Sequence, residues 1–182
     1  MSEMVEKVLE LHAALARAEI PHAFGGALAL AYCVNEPRGT RDIDINVFIA
    51  PERVDAVFDV LPGEIEADAD DVRLVLRDGQ VRLWWRDTPV DLFFSYDPFH
   101  ERAAERVRVV PLSGTEIPVL TCTDLAVFKA FFSRTKDWAD IEEMARARSL
   151  DIPELRVFIR ASFGDDSDRL ERLDAAIQLG EG

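Results

Sequence analysis

The chain has 182 residues, 48% of them hydrophobic and 31% charged. That is enough for one domain with a real core, or for such a core plus a short extension, and too apolar for wholesale disorder. The formal net charge of -14 makes extended non-specific nucleic-acid binding unlikely, yet leaves room for a triphosphate whose charge is screened by metal ions.

In chain order, Val5, Leu9, Leu11, Leu15 and Ile20 recur at near-helical spacing and predict an amphipathic helix over residues 3–18, which Pro21 helps to end. His22 to Phe24 is a short apolar approach to Gly25-Gly26, and Ala27 to Cys33 reads as a compact helix. Asn35, Pro37 and Gly39 then break the chain. Residues 42–49, DIDINVFI, alternate polar and apolar as a strand does. Pro51 to Leu61 reads as a helix with proline in its first turn. Val72 to Arg77 and Val81 to Arg86 read as two strands joined by a hairpin turn at Asp78-Gly79. Val90 to Phe94 is a further strand, ended by Asp97-Pro98. Val107 to Leu112 and Ile117 to Leu120 flank Ser113-Gly114-Thr115 as a second hairpin. From Thr123 onward the pattern is helical, over 123–133, 137–148, 153–162 and 167–178, with Thr121 or Thr123 capping the first helix and Ser167 the last. The expected fold is therefore mixed α/β (α+β): a mixed-sheet core with flanking helices over 1–122, then a C-terminal helical region over 123–182 packed on or beside it.

Cys33 and Cys122 have no CxxC spacing and no neighbouring histidine cluster, so neither a zinc site nor a disulfide framework is expected, and both read as buried reduced thiols. His12, His22 and His100 lack metal-ligand spacing. Ser2 to Ile20 carries charges that a signal peptide does not, and no segment approaches the roughly 18 apolar residues of a membrane span. A cytoplasmic protein with no membrane partner is expected.

Chemistry concentrates in three places: Gly25-Gly26, Asp42-Ile43-Asp44, and Asp91 between Val90 and Leu92. Residues two apart on a strand share a face, so Asp42 and Asp44 project together. Burying two unpaired carboxylates is costly, and a hard divalent cation relieves it. With Asp91 beside them, the three carboxylates suit two metal ions that clamp the attacking and leaving oxygens of phosphoryl transfer. Glycines at a strand-to-helix turn let backbone N–H groups approach a phosphate.

Phe24-Gly25-Gly26, the paired Asp42 and Asp44, and Asp91 resemble the signature of the DNA polymerase β-like nucleotidyltransferase superfamily. The tract GGALALAYCVNEPRGTRDIDINVF resembles the minimal bacterial enzymes of the AbiEii, MNT and lincosamide-resistance type, through Arg38, Thr40, Asp42, Ile43, Asp44 and Ile45. The later stretch TDLAVFKAFFSRTKDWADI is similar to a downstream tract of those families at Asp124, Leu125, Lys129, Arg134, Lys136, Asp137 and Asp140. The matches span about 22–142. The resemblance implies that Asp42, Asp44 and Asp91 hold two Mg²⁺ or Mn²⁺ ions, with Asp91 as metal ligand or general base. It also implies that Gly25, Gly26, Arg38, Thr40 and Lys129 bind the nucleotide. The implied activity moves a nucleoside monophosphate from an NTP to an unidentified small molecule, tRNA or protein, releasing pyrophosphate.

Two other readings compete. One is a catalytically weak module acting through a partner protein, as in a toxin–antitoxin pair. The other is a metal-dependent phosphohydrolase without an acceptor. At individual residues, Lys136, Asp137 and Asp140 suit local helical ion pairs, and Phe128, Phe131 and Phe132 suit a helical core. Trp84 and Trp85 must face opposite sides of a strand, one into the core and the other towards an interface or a stacked base.

Overall fold

The computed structural model describes residues 2–36, 39–165 and 167–181. These form two compact units. The first comprises the described residues within 1–28 and 39–120, the second those within 29–38 and 121–182. The division falls near the end of the expected core at 122, but the second unit also takes in a segment from the first half of the chain.

The first unit opens with α1 (Glu3–Arg17), whose Ser2 side chain accepts from the Val5 N–H and whose Val8, Leu11 and Leu15 are buried. It holds a six-stranded mixed sheet in the order β3-β4-β2-β1-β6-β5. The strands are β1 (His22–Phe24), β2 (Ile43–Val47), β3 (Gln80–Trp85), β4 (Thr88–Phe94), β5 (Arg108–Leu112) and β6 (Thr115–Val119). In the middle, β2 runs antiparallel to β1 and parallel to β4, and β1 runs parallel to β6. Alternation decides what each strand buries: Val81, Leu83 and Trp85 of β3 and Val90, Leu92 and Phe94 of β4 are all core. The opposite face carries Arg82, Asp91, Asp44 and Asn46. Lys7 of α1 is itself buried and donates to Thr88 Oγ1 (2.7 Å), and its ammonium lies 5.9 Å from the Trp85 ring.

Between β2 and β3 the structure departs from the sequence reading. Residues 72–77 are not a strand. They belong to α4 (Ala69–Asp78), which follows a 3-10 turn (Pro51–Arg53) and the short helix α3 (Val54–Phe58). Asp68 caps α4 by accepting from the Asp70 and Asp71 N–H groups, and Asp71 reaches back to the Asp68 N–H, a capping box. Gly79 ends the helix at φ +67, in the left-handed region. Asp78-Gly79 is thus a helix stop, and β3 pairs with β4 through Arg86-Asp87 instead. The expected long helix from Pro51 stops at Phe58. Asp97-Pro98 ends β4 as expected but also begins α5 (Pro98–Ala104), with Asp97 accepting from the Phe99 N–H.

The second unit contains most of α2 (Gly26–Val34) together with α6 (Cys122–Phe132), α7 (Thr135–Arg146), α8 (Ile152–Phe163) and α9 (Asp168–Glu181). Thr121 caps α6, and Ser167 Oγ accepts from the Arg169 N–H at the start of α9. Leu125, Ile141, Met144, Leu155, Ile159 and Leu173 form the core. Phe131 and Phe132 do not belong to it. They are 36% and 41% exposed, and Phe131 meets Phe158 and Phe163 edge-on. The reading of Cys33 and Cys122 as reduced thiols is overturned, because the end of α2 meets the start of α6 with the two Cα atoms 5.6 Å apart and the sulfurs bonded.

His22, 7% exposed, shares a hydrogen bond with His12 of α1 (2.9 Å) and places its Nδ1 2.7 Å from the Ile20 carbonyl oxygen. Burial pushes both imidazoles below the ordinary histidine value, and the neighbouring His12 pushes His22 further. A base with a lowered folded-state pKa is neutral in the fold and binds more protons when unfolded. Stability is then complete above about pH 6.5 and falls as the pH drops towards the folded value, by up to about 1.4 kcal/mol per pH unit for a single group. Urea unfolding at pH 7.5 and pH 5.5 is expected to show a lower midpoint at pH 5.5, and His22→Gln is expected to shrink that difference.

Candidate active site

The site grows from the register of the sheet. Asp44 of β2 lies directly beside Asp91 of its parallel neighbour β4, and Asp91 lies opposite Arg82 of β3. On the other side of Asp44, the Gly25 N–H donates to the Asp44 carbonyl oxygen (2.9 Å). One row therefore crosses four neighbouring segments: Gly25, Asp44, Asp91, Arg82. Asp42 precedes β2. The Thr40 hydroxyl orients it, donating to Asp42 Oδ1 (2.8 Å) and accepting from the Asp42 N–H (3.3 Å).

Gly26, the first residue of α2, presses on Asp44. Its φ is +49, and a Cβ built there would fall onto Asp44 Oδ2. The structure leaves no room for a side chain between the turn and the carboxylate. Gly25 is tight in a milder way, its hypothetical Cβ meeting Asn46 Nδ2 at 3.1 Å. Asn46 continues the polar face. It is 3% exposed, and its Oδ1 has no hydrogen-bond partner among the described residues.

Arg82 is the residue that sequence reading missed. Its Nε and Nη2 donate to the two Asp91 oxygens at 2.7 and 2.6 Å, and its Nη2 lies 3.8 Å from Asp42 Oδ2. The hydrogen bonds to Asp91, with the charges of Asp91, Asp42 and Asp44 behind them, outweigh partial burial and push the guanidinium pKa upward. The cation standing among these carboxylates is thus a side chain. Consistent with that, no group of three or more His, Cys, Asp or Glu side chains among the described residues has metal-holding geometry. The donor set still suits a magnesium-type ion in kind. It offers hard carboxylate oxygens, two of them adjacent by register, a glycine that clears the space over Asp44, and an open amide oxygen beside them.

The first unit thus brings together Gly25, Gly26, Thr40, Asp42, Asp44 and Asp91. Lys129 belongs to the second unit, where it is 8% exposed and donates to Asp140 Oδ2 (2.6 Å), with Asp137 Oδ1 at 3.8 Å. Asp137 in turn pairs with Arg134 (2.7 Å). Asp137 therefore forms a local helical ion pair with Arg134, and Asp140 pairs with Lys129. Arg38 lies outside the described residues.

Residues 10–180 match the family model described as "Nucleotidyl transferase AbiEii toxin, Type IV TA system". The chain belongs to the AbiEii family. AbiEii proteins are nucleotidyltransferases by that description, and the mixed sheet with its nearby Gly-Gly turn agrees with a polymerase β-like fold. Two solved structures share the AbiEii chain's fold. The solution structure of the antibiotic-resistance factor ANT(2'')-Ia matches with a TM-score of 0.62 and 14% identity, covering 94% of this chain and 97% of that one. The crystal structure of ANT(2'')-Ia in complex with adenylyl-2''-tobramycin matches with a TM-score of 0.61 and 14% identity, covering 89% and 97%. No curated protein sequence matches significantly. No described helix is long and apolar enough to cross a membrane.

Gly26→Ala tests the contact with Asp44. The left-handed backbone alone costs a non-glycine residue roughly 1–2 kcal/mol, and a carboxylate displaced by about an ångström costs on the order of 100-fold in rate. If the chain transfers nucleotides through Asp44, pyrophosphate release is expected to fall about 100-fold, beyond what any drop in melting temperature explains. Gly25→Ala is expected to lose less.

Proposed function

We propose that this chain transfers a nucleoside monophosphate from an NTP to an acceptor hydroxyl and releases pyrophosphate. The supporting observation is the placement of Asp44 and Asp91 side by side, with Gly26 against Asp44 and Gly25 bonded to its backbone. Mg²⁺ or Mn²⁺, two ions held by Asp42, Asp44 and Asp91, would neutralise the phosphates as charge builds on them. The backbone at Gly25 and Gly26 receives the phosphates at the start of α2. The acceptor oxygen attacks the α-phosphorus, and the bond from that phosphorus to the oxygen bridging to the β-phosphate breaks. The hydroxyl proton passes to an Asp91 oxygen, and Arg82 yields one of its two hydrogen bonds as this happens.

The family description, a toxin of a toxin–antitoxin system, supports a second element of the proposal: an antitoxin protein as partner. ANT(2'')-Ia was captured with adenylyl-2''-tobramycin, which fits a nucleotide joined to a small-molecule acceptor on this fold. The proposal places the protein in the cytoplasm, where NTPs are made.

Calorimetric titration of ATP, GTP, CTP and UTP in Mg²⁺ tests the reading. Saturable binding of at least one NTP, lost in Asp42→Asn/Asp44→Asn, is the expected result. A folded wild-type chain that binds none of the four overturns it.

A further inference from the structure

The transfer reading uses Arg82 of β3 but gives no part to Trp84, two residues further along the same strand. That strand is the first in the sheet order, paired on one side with β4. Its residues alternate strictly: Val81, Leu83 and Trp85 are buried, while Gln80, Arg82 and Trp84 face outward. Trp85 is 4% exposed and fills the core. Trp84 is 53% exposed, whereas Trp138, the third tryptophan, is 8% exposed. Trp84 thus lies half exposed on the face of β3 opposite the buried Val81, Leu83 and Trp85.

Alternation puts Trp84 on the same face as Arg82, one pleat away. Register puts it opposite Pro89 and therefore diagonal to Asp91, a separation of about 7–8 Å between such positions. Across the sheet the order is Gly25-Gly26, Asp44, Asp91, then β3. If the phosphates of the donor sit at the glycines, pyrophosphate departs on that side. In-line displacement requires the attacking oxygen on the opposite side, beyond Asp91, over β3.

The neighbouring charge also bears on what lies there. Arg82 is already engaged by Asp91 and Asp42, so it offers little attraction to an added anion. What remains is a flat apolar surface beside a carboxylate. An indole face recognises rings, either a π-face by stacking or the C–H face of a sugar.

We propose that the outward face of β3 is the acceptor side of the site, with Trp84 the platform on which a ring of the acceptor lies flat while its hydroxyl reaches Asp91. This rests on the transfer reading and adds the acceptor's shape to it: a hydroxyl-bearing ring compound.

Trp84→Ala and Trp84→Phe in the full chain test the proposal, with adenosine as the aromatic-ring probe and methyl glucoside as the sugar-ring probe. Three quantities are read: Mg–NTP affinity by calorimetry, quenching of tryptophan fluorescence by each probe, and pyrophosphate release with and without each probe. The expected result is saturable quenching by one or both probes that Trp84→Ala abolishes. With it, the KM for that probe rises about tenfold to a hundredfold, in line with the loss of one stacked ring. Trp84→Phe restores most of that loss, and Mg–NTP affinity stays within twofold of wild type. Quenching by adenosine alone assigns an aromatic acceptor, and by methyl glucoside alone a sugar. A tenfold loss of Mg–NTP affinity in Trp84→Ala overturns the proposal by giving the indole to the donor base. Absence of quenching by both probes, or probe-stimulated release unchanged in Trp84→Ala, also overturns it. A wild type that binds no NTP is a different failure, because it removes the transfer reading itself and the acceptor role with it.

Discussion

Asp44→Asn is expected to lower pyrophosphate release by about three orders of magnitude while leaving the fold intact. Asparagine keeps the shape of the side chain and removes its charge. Asp44 holds the central position in the row, with Asp91 at its side by strand register and Gly26 against its carboxylate. A group that stabilises charge in the transition state is worth about 10²–10³ in rate when it is a hydrogen-bond donor, and a metal-binding carboxylate contributes several kcal/mol by the same logic. Stability should respond little. Asp44 lies beside the Asp91 carboxylate but also favours the Arg82 guanidinium, and losing its charge removes both effects, so the melting temperature without metal is expected to stay close to that of the wild type. The measurement is the initial rate of pyrophosphate release from whichever NTP binds, beside a thermal melt of the same preparation. A variant with normal melting and undiminished release would remove Asp44 from the chemistry, and the two-metal proposal with it.

What sequence could give here depends on how far apart the cooperating residues lie. DIDINV is local and alternates cleanly, so β2 and its two aspartates were legible as a strand carrying a pair. The segment VRLVLR is a short, largely aliphatic run in front of Asp78-Gly79, and it reads as a strand leading into a hairpin turn. The helix is decided outside that window by Asp68 and Asp71, which close a capping box before it, and by Gly79 after it. Both signals are in the sequence. They were outweighed by an apolar pattern in which Val75 alone is fully buried and Leu76 is 52% exposed. Misplacing that segment also hid the pairing of β3 with β4.

Arg82 was illegible for the same reason. Its role exists only because the β3–β4 register sets it opposite Asp91, and an arginine in a strand otherwise reads as a solvated side chain. Thr40 was assigned to the nucleotide by resemblance, and the structure shows its hydroxyl bonded to Asp42. Lys129 was likewise assigned to the phosphates. Its contacts in the structure are with Asp140 and Asp137, so a role at a phosphate requires it to exchange an existing carboxylate partner.

The bond between Cys33 and Cys122 carries the largest expected effect on stability. It closes a sequence separation of 89 residues, and between its ends the chain leaves the second unit to build most of the first. The segment of α2 that belongs to the second unit is thus remote in sequence from α6 to α9. In the chain-entropy account a loop near this length restricts the unfolded state by about 4–5 kcal/mol. Urea unfolding of the oxidised chain, compared with the same chain in excess dithiothreitol, is expected to show a loss of roughly that size, with Cys33→Ser/Cys122→Ser matching the reduced form. For a chain of this length such a loss lowers the melting temperature by about 10 °C or more. The proposed function puts the chain where NTPs are made and thiols are generally kept reduced, and under that proposal the reduced form bears on function as much as the oxidised one. Two equal unfolding curves would show that packing alone holds α2 to α6, and that the cysteines serve only as the buried apolar residues their sequence context suggested.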